Sequence, residues 1–81
     1  MFLKELKKVP QKIRIHIEQL VFEEIIHKNN QEIYDLISKM QGYKGYYKIR
    51  FGDYRVGVYI ENEILEFRKV LHRKDIYRFF P

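Results

Sequence analysis

The chain has 81 residues, 46% hydrophobic and 16% aromatic, which predicts one folded domain spanning residues 1–81 around a small core. It contains no cysteine, which excludes a disulfide scaffold, a cysteine nucleophile and a zinc–thiolate site. Sixteen Lys and Arg residues against 11 Asp and Glu residues give a net charge of +5, which favours anionic partners such as nucleic acid. Without a membrane-length apolar run or a signal-peptide pattern, we expect a cytoplasmic protein that does not contact a membrane.

The first half of the chain predicts helices over about residues 2–40. Apolar residues at helical spacing indicate a short first helix over residues 2–8, and Pro10 suits the first turn of the next one. Residues 11–27 carry one apolar stripe, formed by Ile13, Ile17, Leu20, Val21 and Ile25. After a break at Asn29 and Asn30, residues 31–40 predict a third helix with Ile33, Leu36, Ile37 and Met40 on one side.

The second half changes to the period of two that is typical of strands, over about residues 46–71. Residues 46–51 and 54–60 alternate across a compact turn, and residues 64–71 predict a third strand with Leu65, Phe67 and Leu71 facing inward. Helices followed by an antiparallel meander predict an α+β fold, in which an N-terminal helical hairpin packs on a small three-stranded antiparallel sheet. Residues 72–81 then form a basic C-terminal tail or short helix.

The sheet face turned away from the helices is predicted to be cationic. Lys48, Arg50 and Arg55 fall on it by alternation, and neighbouring strands bring such residues close together. Because three like charges repel, a phosphate-binding site explains them better than a solvated face does. Glu66 and Arg68 alternate on the third strand and are expected on the same face, with Glu66 acting as a local counter-ion or as a proton acceptor.

The C-terminal motif, residues 72–78 (HRKDIYR), adds further candidates for phosphate chemistry. If the motif is helical, Arg73 and Tyr77 stand four residues apart on one face. Arginine offers a rigid fork to a phosphate, and tyrosine can stack on a base or take a proton. His72 is a further candidate for proton transfer, although a lone histidine is more often structural than catalytic.

No metal or cofactor is expected. The sequence has no Gly-rich phosphate loop and no paired-carboxylate magnesium signature, and His16 and His27 lie too far apart to suggest a metal site. RNA cleavage without metal is nevertheless available, because the 2′-hydroxyl can attack the adjacent phosphorus when the protein aligns the atoms and stabilises the added charge.

Residues 45–56 (GYYKIRFGDYRV) and 70–77 (VLHRKDIY), with LKKVP at 6–10 and the long helix, resemble the RelE/ParE superfamily of toxin–antitoxin toxins over nearly the whole chain. The resemblance implies a type II toxin, and RelE-like members cut messenger RNA in the ribosomal A site without metal. The positions matching the RelE-like active site are Lys48, Arg50, Arg55, Arg73 and Tyr77.

The resemblance implies roles for these five residues. Lys48 or Arg50 binds phosphate and assists proton transfer, Arg55 and Arg73 stabilise the charge on phosphorus, and Tyr77 orients the base and assists proton transfer. The proton acceptor stays open among Lys48, Glu66, His72 and Tyr77. Interleaved basic and aromatic residues in the second half are the further candidates for RNA binding: Lys44, Tyr46, Arg68, His72, Lys74 and Arg78.

One departure and two alternatives accompany this resemblance. Family members usually begin with a strand, whereas here helical spacing starts almost at Met1, so we expect a shorter sheet with an exposed edge, a candidate site for homodimerisation. The alternatives are a ParE-like inhibitor of DNA gyrase and a decayed, non-enzymatic module that binds an antitoxin. The expected partners are a cognate antitoxin and messenger RNA on the ribosome.

Overall fold

The structure, a computed structural model, describes residues 2–81 except the side chains of Ile26 and Asn30. The helices are α1 (Phe2–Leu6), α2 (Gln11–Gln19), α3 (Asn30–Leu36) and α4 (Ile76–Phe79), and α2 continues through a π-helical turn at Leu20–Glu24 and a 3₁₀ turn at Ile25–His27. The strands are β1 (Ser38–Lys39), β2 (Tyr46–Phe51), β3 (Tyr54–Glu61) and β4 (Ile64–His72). The predicted α+β class is confirmed. Within residues 2–81, the helices are all too short or too polar to cross a bilayer.

The sheet has four antiparallel strands in the order β1-β2-β3-β4, which corrects the expected count of three. The structure also corrects the extent of the third helix, which was expected to reach residue 40. That helix ends at Leu36 because Ile37 adopts extended backbone angles, φ −102° and ψ 153°. The next two residues then form β1 by pairing with β2, which satisfies their backbone groups outside a helix.

The main core lies between the helices and one face of the sheet, here called the inner face. Ile17 and Leu20 of the predicted helical stripe are buried against Ile49, Val56 and Val58 of the strands. The period of two in the strands and the period of 3.6 in the helix therefore produce one shared apolar interface.

A β-bulge interrupts β4 and reverses its alternation. The register between β3 and β4 shifts beside Gly57, which leaves Arg68 without a residue opposite it. Phe67 still packs on the inner core, but Leu71, expected on the same face, packs on the opposite one, and Val70 takes its inward place. The prediction for Leu71 was wrong because it assumed an uninterrupted strand.

The opposite face of the sheet, here called the outer face, carries a second small core. The C-terminal motif forms the short helix α4 and then runs across this face. Ile76 and Phe80 are buried there together with Met40, and Tyr46 and Leu71 pack against them. The end of the chain is thereby held against the strands that carry the predicted cationic residues.

Helix α1 lies along β4, at one edge of the sheet. A carboxylate oxygen of Glu5 accepts the backbone N–H of Val70 at 3.1 Å, and its other oxygen lies 3.4 Å from the Lys69 ammonium. A side chain thus takes the place of a neighbouring strand at this point of the edge. The expected exposed edge is therefore partly covered, and homodimerisation through it stays a prediction.

Candidate functional site

The outer face brings together the cations that alternation placed there. Arg50 of β2 stands directly opposite Arg55 of β3, and Lys48 lies two residues earlier on β2, on the same face. Arg73 follows β4, which pairs with β3, so all four approach one end of the face beside the turn between β2 and β3. We call Lys48, Arg50, Arg55 and Arg73 the cationic cluster.

Arg55 is the most constrained member of the cationic cluster. Its guanidinium donates to the carbonyl oxygens of Gly52 at 2.7 Å and Tyr54 at 3.0 Å, which anchors it to the turn. Partial burial lowers the pKa of Arg55, and the like charges of Arg50 and Arg73 lower it further. The arginine still carries its charge at neutral pH, so the cluster contains repulsion that a bound anion would relieve.

Asp53 in the same turn holds Arg73 in place. The Arg73 backbone N–H donates to the Asp53 carbonyl at 2.7 Å, and the Arg73 Nε lies 3.8 Å from the Asp53 carboxylate. Both side chains are more than half exposed, so the backbone contact fixes the position better than the ion pair does. Sequence reasoning assigned Asp53 only to a turn, because its partner lies 20 residues away.

Tyr77 is brought to the cationic cluster by the packing of residues 76–81, here called the C-terminal segment. The Lys48 ammonium lies 5.1 Å from the centre of the Tyr77 ring, and 67% of Tyr77 is exposed. The segment is held by Phe80, whose ring lies so close to Gly57 that a Cβ there would come within 2.7 Å of it. A glycine inside a strand pattern signals such a close approach, and Gly57 is the signal that sequence reasoning missed.

Two of the predicted proton acceptors lie away from the cationic cluster. The His72 ring packs 5.4 Å from Tyr54, which belongs to the inner core, and its Nδ1 accepts the backbone N–H of Lys74 at 3.2 Å. The bulge places His72 opposite Tyr54 rather than on the outer face. Glu66 binds Arg68 at 2.7 Å, toward the opposite end of the outer face.

That opposite end carries three residues that we call the arginine platform: Tyr46, Tyr59 and Arg68. The Arg68 guanidinium lies 4.3 Å from the centre of the Tyr59 ring and 5.8 Å from that of Tyr46. Tyr59 was not among the predicted site residues, because alternation gives the face of a residue but not the path of the Arg68 side chain over it. The remaining predicted RNA-binding residues, Lys44, Lys74 and Arg78, are exposed.

The arrangement suits an anionic ligand held by side chains alone. Three groups of donors face one end of the sheet: an ammonium, fixed guanidinium forks and a tyrosine hydroxyl. Nowhere in residues 2–81 do three or more His, Asp or Glu side chains meet at a spacing that would hold a metal ion. Binding a phosphate and stabilising added charge on it are what this set of donors can do chemically.

Helices on one face of a small antiparallel sheet, with a cationic cluster on the other face, agree with the resemblance to the RelE/ParE superfamily of toxins. The sequence matches the family described as ParE toxin of type II toxin–antitoxin system, parDE, over residues 2–77. The chain belongs to this family and is a RelE-like toxin of a type II toxin–antitoxin system.

Two relatives support this membership over nearly their whole lengths. The chain is 46% identical to Toxin RelE3 of Methanocaldococcus jannaschii over 83 aligned positions, which cover 99% of this chain and 91% of that protein. It is similar, with a TM-score of 0.79 and 44% identity, to a chain of the RelB–RelE antitoxin–toxin complex from Methanococcus jannaschii. That likeness covers 99% of this chain and 93% of the other.

Proposed function

We propose that the protein is an mRNA interferase that acts as one domain, cleaves messenger RNA in the ribosomal A site without metal, and works in the cytoplasm. The observation that carries the proposal is the convergence of the cationic cluster with Tyr77 at one end of the outer face. The cationic cluster suits the phosphodiester of an RNA, and the Tyr77 ring suits the base next to it. A purely structural role would leave that repulsion without compensation.

The proposed reaction is an internal transfer at phosphorus. The 2′-oxygen of one nucleotide forms a bond to the adjacent phosphorus, and the bond from phosphorus to the 5′-oxygen of the next nucleotide breaks. The 2′-hydroxyl proton passes to an acceptor, and the departing 5′-oxygen receives a proton. The products are a 2′,3′-cyclic phosphate and a 5′-hydroxyl, with no change of oxidation state.

Each cation has a role that its position supports. Arg55 and Arg73, anchored to the same turn, stabilise the negative charge that builds on the phosphoryl oxygens. Arg50 and Lys48 bind the phosphate from β2. Because Arg55 is already held by two carbonyl groups, it needs little rearrangement when the charge develops, which is the condition for effective electrostatic stabilisation.

Proton transfer is assigned to Lys48 and Tyr77. These two lie together at the cationic cluster, whereas Glu66 is bound to Arg68 and His72 uses Nδ1 to accept the Lys74 N–H. Geometry precedes pKa in choosing a general base, since the group must reach the proton that it removes. Tyr77, with an exposed ring, also orients the base beside the cleaved phosphate.

A cognate antitoxin is the proposed protein partner. The similar chain in the solved structure belongs to an antitoxin–toxin complex, and the +5 charge of this protein favours an acidic partner. An antitoxin segment that covers the cationic cluster with carboxylates would block access of RNA and relieve the repulsion at once.

Inhibition of DNA gyrase is the second candidate function, and the name of the matched family favours it. Such an inhibitor binds a protein and needs no catalytic geometry. The two functions differ in what expression of the toxin does: an interferase creates new RNA ends, whereas a gyrase inhibitor causes DNA damage with intact messengers.

Expression of the protein without an antitoxin tests the proposal. We expect growth arrest with new messenger 5′-ends inside translated codons, and we expect Arg55→Ala/Arg73→Ala to abolish both. The matched control is Lys4→Ala/Lys12→Ala, which removes the same charge from exposed positions on the helices. Circular dichroism establishes that each variant is folded.

Three outcomes would contradict the proposal. Arrest with intact messengers and a DNA damage response favours the gyrase inhibitor. Arrest and cleavage that persist in a folded Arg55→Ala/Arg73→Ala variant remove the cationic cluster from the mechanism. A folded wild-type protein that causes no arrest favours a decayed module that only binds an antitoxin.

A further inference from the structure

The arginine platform, at the opposite end of the outer face from the cationic cluster, has no role in the cleavage described above. Tyr46 and Tyr59 are neighbours on β2 and β3, with ring centres 4.7 Å apart. The bulge in β4 places Arg68 over both rings, closest to Tyr59. Arg68 is the extra residue of that bulge, and it lies on the same face as both rings.

Three of the five N–H groups of Arg68 are directed at neighbouring side chains. Its Nε and Nη2 donate to one carboxylate oxygen of Glu66 at 2.9 and 2.7 Å, and its Nη1 lies 3.4 Å from the Tyr46 hydroxyl. These contacts hold the guanidinium over Tyr59. The side chain is still 41% exposed. The flat face turned away from Tyr59 is available to a ligand, and guanidinium planes stack on nucleobases.

A small pocket adjoins this platform. It has a volume of about 180 Å³ and is lined by Tyr46, Arg68, Lys69, Phe79, Phe80 and Pro81. Aromatic rings form much of the wall, with a guanidinium and an ammonium beside them. Because Phe79 ends the short helix that carries Tyr77 and Phe80 follows it directly, the pocket and the cationic cluster share the C-terminal segment as a common wall.

We propose that the arginine platform and its pocket bind one unpaired nucleobase of a single-stranded RNA whose cleaved phosphate lies at the cationic cluster; this subsite rests on the proposed ribonuclease function. Lys48 and Tyr46 are two residues apart on β2, which is about 7 Å along the strand. That separation is comparable to the distance between consecutive phosphates of an extended single strand. The base in the platform therefore belongs to a nucleotide close to the cleaved one.

Stacking on RNA fits Arg68 better than contact with an acidic protein does. A carboxylate from an antitoxin would bind in the guanidinium plane, where Glu66 already takes the edge formed by Nε and Nη2 and Tyr46 lies beside Nη1. A nucleobase needs only the flat face, and the positive charge of the outer face attracts the attached phosphates. A protein contact remains the alternative outcome of the test.

The test is direct binding of a non-cleavable RNA by the free protein. The probe is a single-stranded oligoribonucleotide with 2′-O-methyl groups, which blocks attack on phosphorus, and with fluorescent 2-aminopurine moved through successive positions. We expect quenching at one position, as stacking produces. Arg68→Lys, which keeps the charge but loses the flat face, should abolish that quenching and weaken binding about ten-fold. Lys12→Ala, on the opposite side of the sheet, is the control for nonspecific charge effects.

The same probe separates this subsite from the cleavage proposal. Arg55→Ala/Arg73→Ala should lose cleavage in the expression assay yet keep quenching at the same position, although with weaker binding. Cleavage without position-dependent quenching overturns the platform and leaves the ribonuclease intact. Quenching that is unchanged in Arg68→Lys also overturns it, as does an Arg68→Lys effect on antitoxin affinity with none on RNA. Absence of any binding by the folded wild type overturns it as well.

Discussion

At the scale of single residues, the cationic cluster trades stability for function. Arg50 and Arg55 stand directly opposite each other, and like charges in that position destabilise a sheet. The lowered pKa of Arg55 has the same origin: burial contributes first, and the charges of Arg50 and Arg73 contribute next. The repulsion is present whenever no anion is bound, which is the cost of holding a site ready for phosphate.

Replacing Arg50 with glutamine should therefore stabilise the protein while weakening its activity. We expect the free energy of unfolding to rise by about 0.2–1 kcal/mol, because one member of a like-charged pair is removed. Thermal unfolding measures this, and growth arrest on expression measures the activity. Lys12→Gln, at an exposed position of α2, is the control for net charge. An unchanged or lower melting temperature in Arg50→Gln would show that the pair is not repulsive.

Alternation in the sequence predicted the facing of Lys48, Arg50 and Arg55, and the structure agrees. It allowed Glu66 as a local counter-ion, and Glu66 pairs with Arg68, but it could not predict that His72 would turn toward Tyr54. The position of His72 follows from the bulge beside Gly57, which changes the parity of every later residue of β4.

At the scale of elements, Gly57 and Phe80 join the C-terminal segment to the sheet. The absence of a side chain at Gly57 allows the Phe80 ring to lie on the backbone of β3. Phe80 is 3% exposed and Ile76 is 1% exposed, so the short helix α4 depends on this contact more than on its own four residues. The position of Tyr77 is therefore set by a glycine on another element.

Gly57→Val should displace the C-terminal segment and lower activity. Its side chain would meet the Phe80 ring within van der Waals distance, and overpacking of this kind costs about 1–3 kcal/mol. Unfolding in denaturant measures the loss. In a double-mutant cycle with Phe80→Ala, the penalty of the valine should shrink, because the clashing ring is gone. Additive penalties would show that Gly57 is required for a reason other than Phe80.

Helix α1 and strand β4 meet through Glu5, which accepts the Val70 N–H and pairs with Lys69. Glu5→Ala should destabilise the protein by about 1–3 kcal/mol, because it leaves a partly buried backbone donor unsatisfied. Glu5→Gln keeps an acceptor and should lose less, and denaturant unfolding compares the two. An alanine variant as stable as the wild type would mean that water replaces the carboxylate at this edge.

At the scale of the whole molecule, charge and aromatic content are concentrated where the outer face and the C-terminal segment meet. Residues 42–81 hold nine of the 16 basic residues and ten of the 13 aromatic ones. The helices cover the other face with nearly balanced charge, so the protein presents one polar, cationic side and one side closed by its core. Such an asymmetry steers an anionic partner to the functional face.

Polyvalent anions should accordingly stabilise the folded state. Pyrophosphate at ten times its dissociation constant should raise the free energy of unfolding by about 1.4 kcal/mol, since it binds only the folded cluster. Thermal unfolding at constant ionic strength measures this. Arg55→Ala/Arg73→Ala should abolish the effect and Lys4→Ala/Lys12→Ala should retain it. Equal stabilisation of both double variants would indicate a general salt effect.

The sequence by itself determined the α+β order of elements, the alternation of β2 and β3, the facing of Lys48, Arg50 and Arg55, and the cationic balance. These properties are local, because periodicity and composition express the environment of each residue within one element. They were sufficient to indicate an anion-binding sheet face and a resemblance to toxins of this superfamily.

Only the tertiary structure decided three further points. Ser38 and Lys39 pair with β2 instead of extending a helix. Arg68 forms a bulge in β4, and the Phe80 ring packs against Gly57. Each depends on contacts between residues that are distant in the chain, and local preference does not contain that information. Those contacts bring Tyr77 to the cationic cluster and Arg68 over Tyr59, because a site is assembled by packing that no single element specifies.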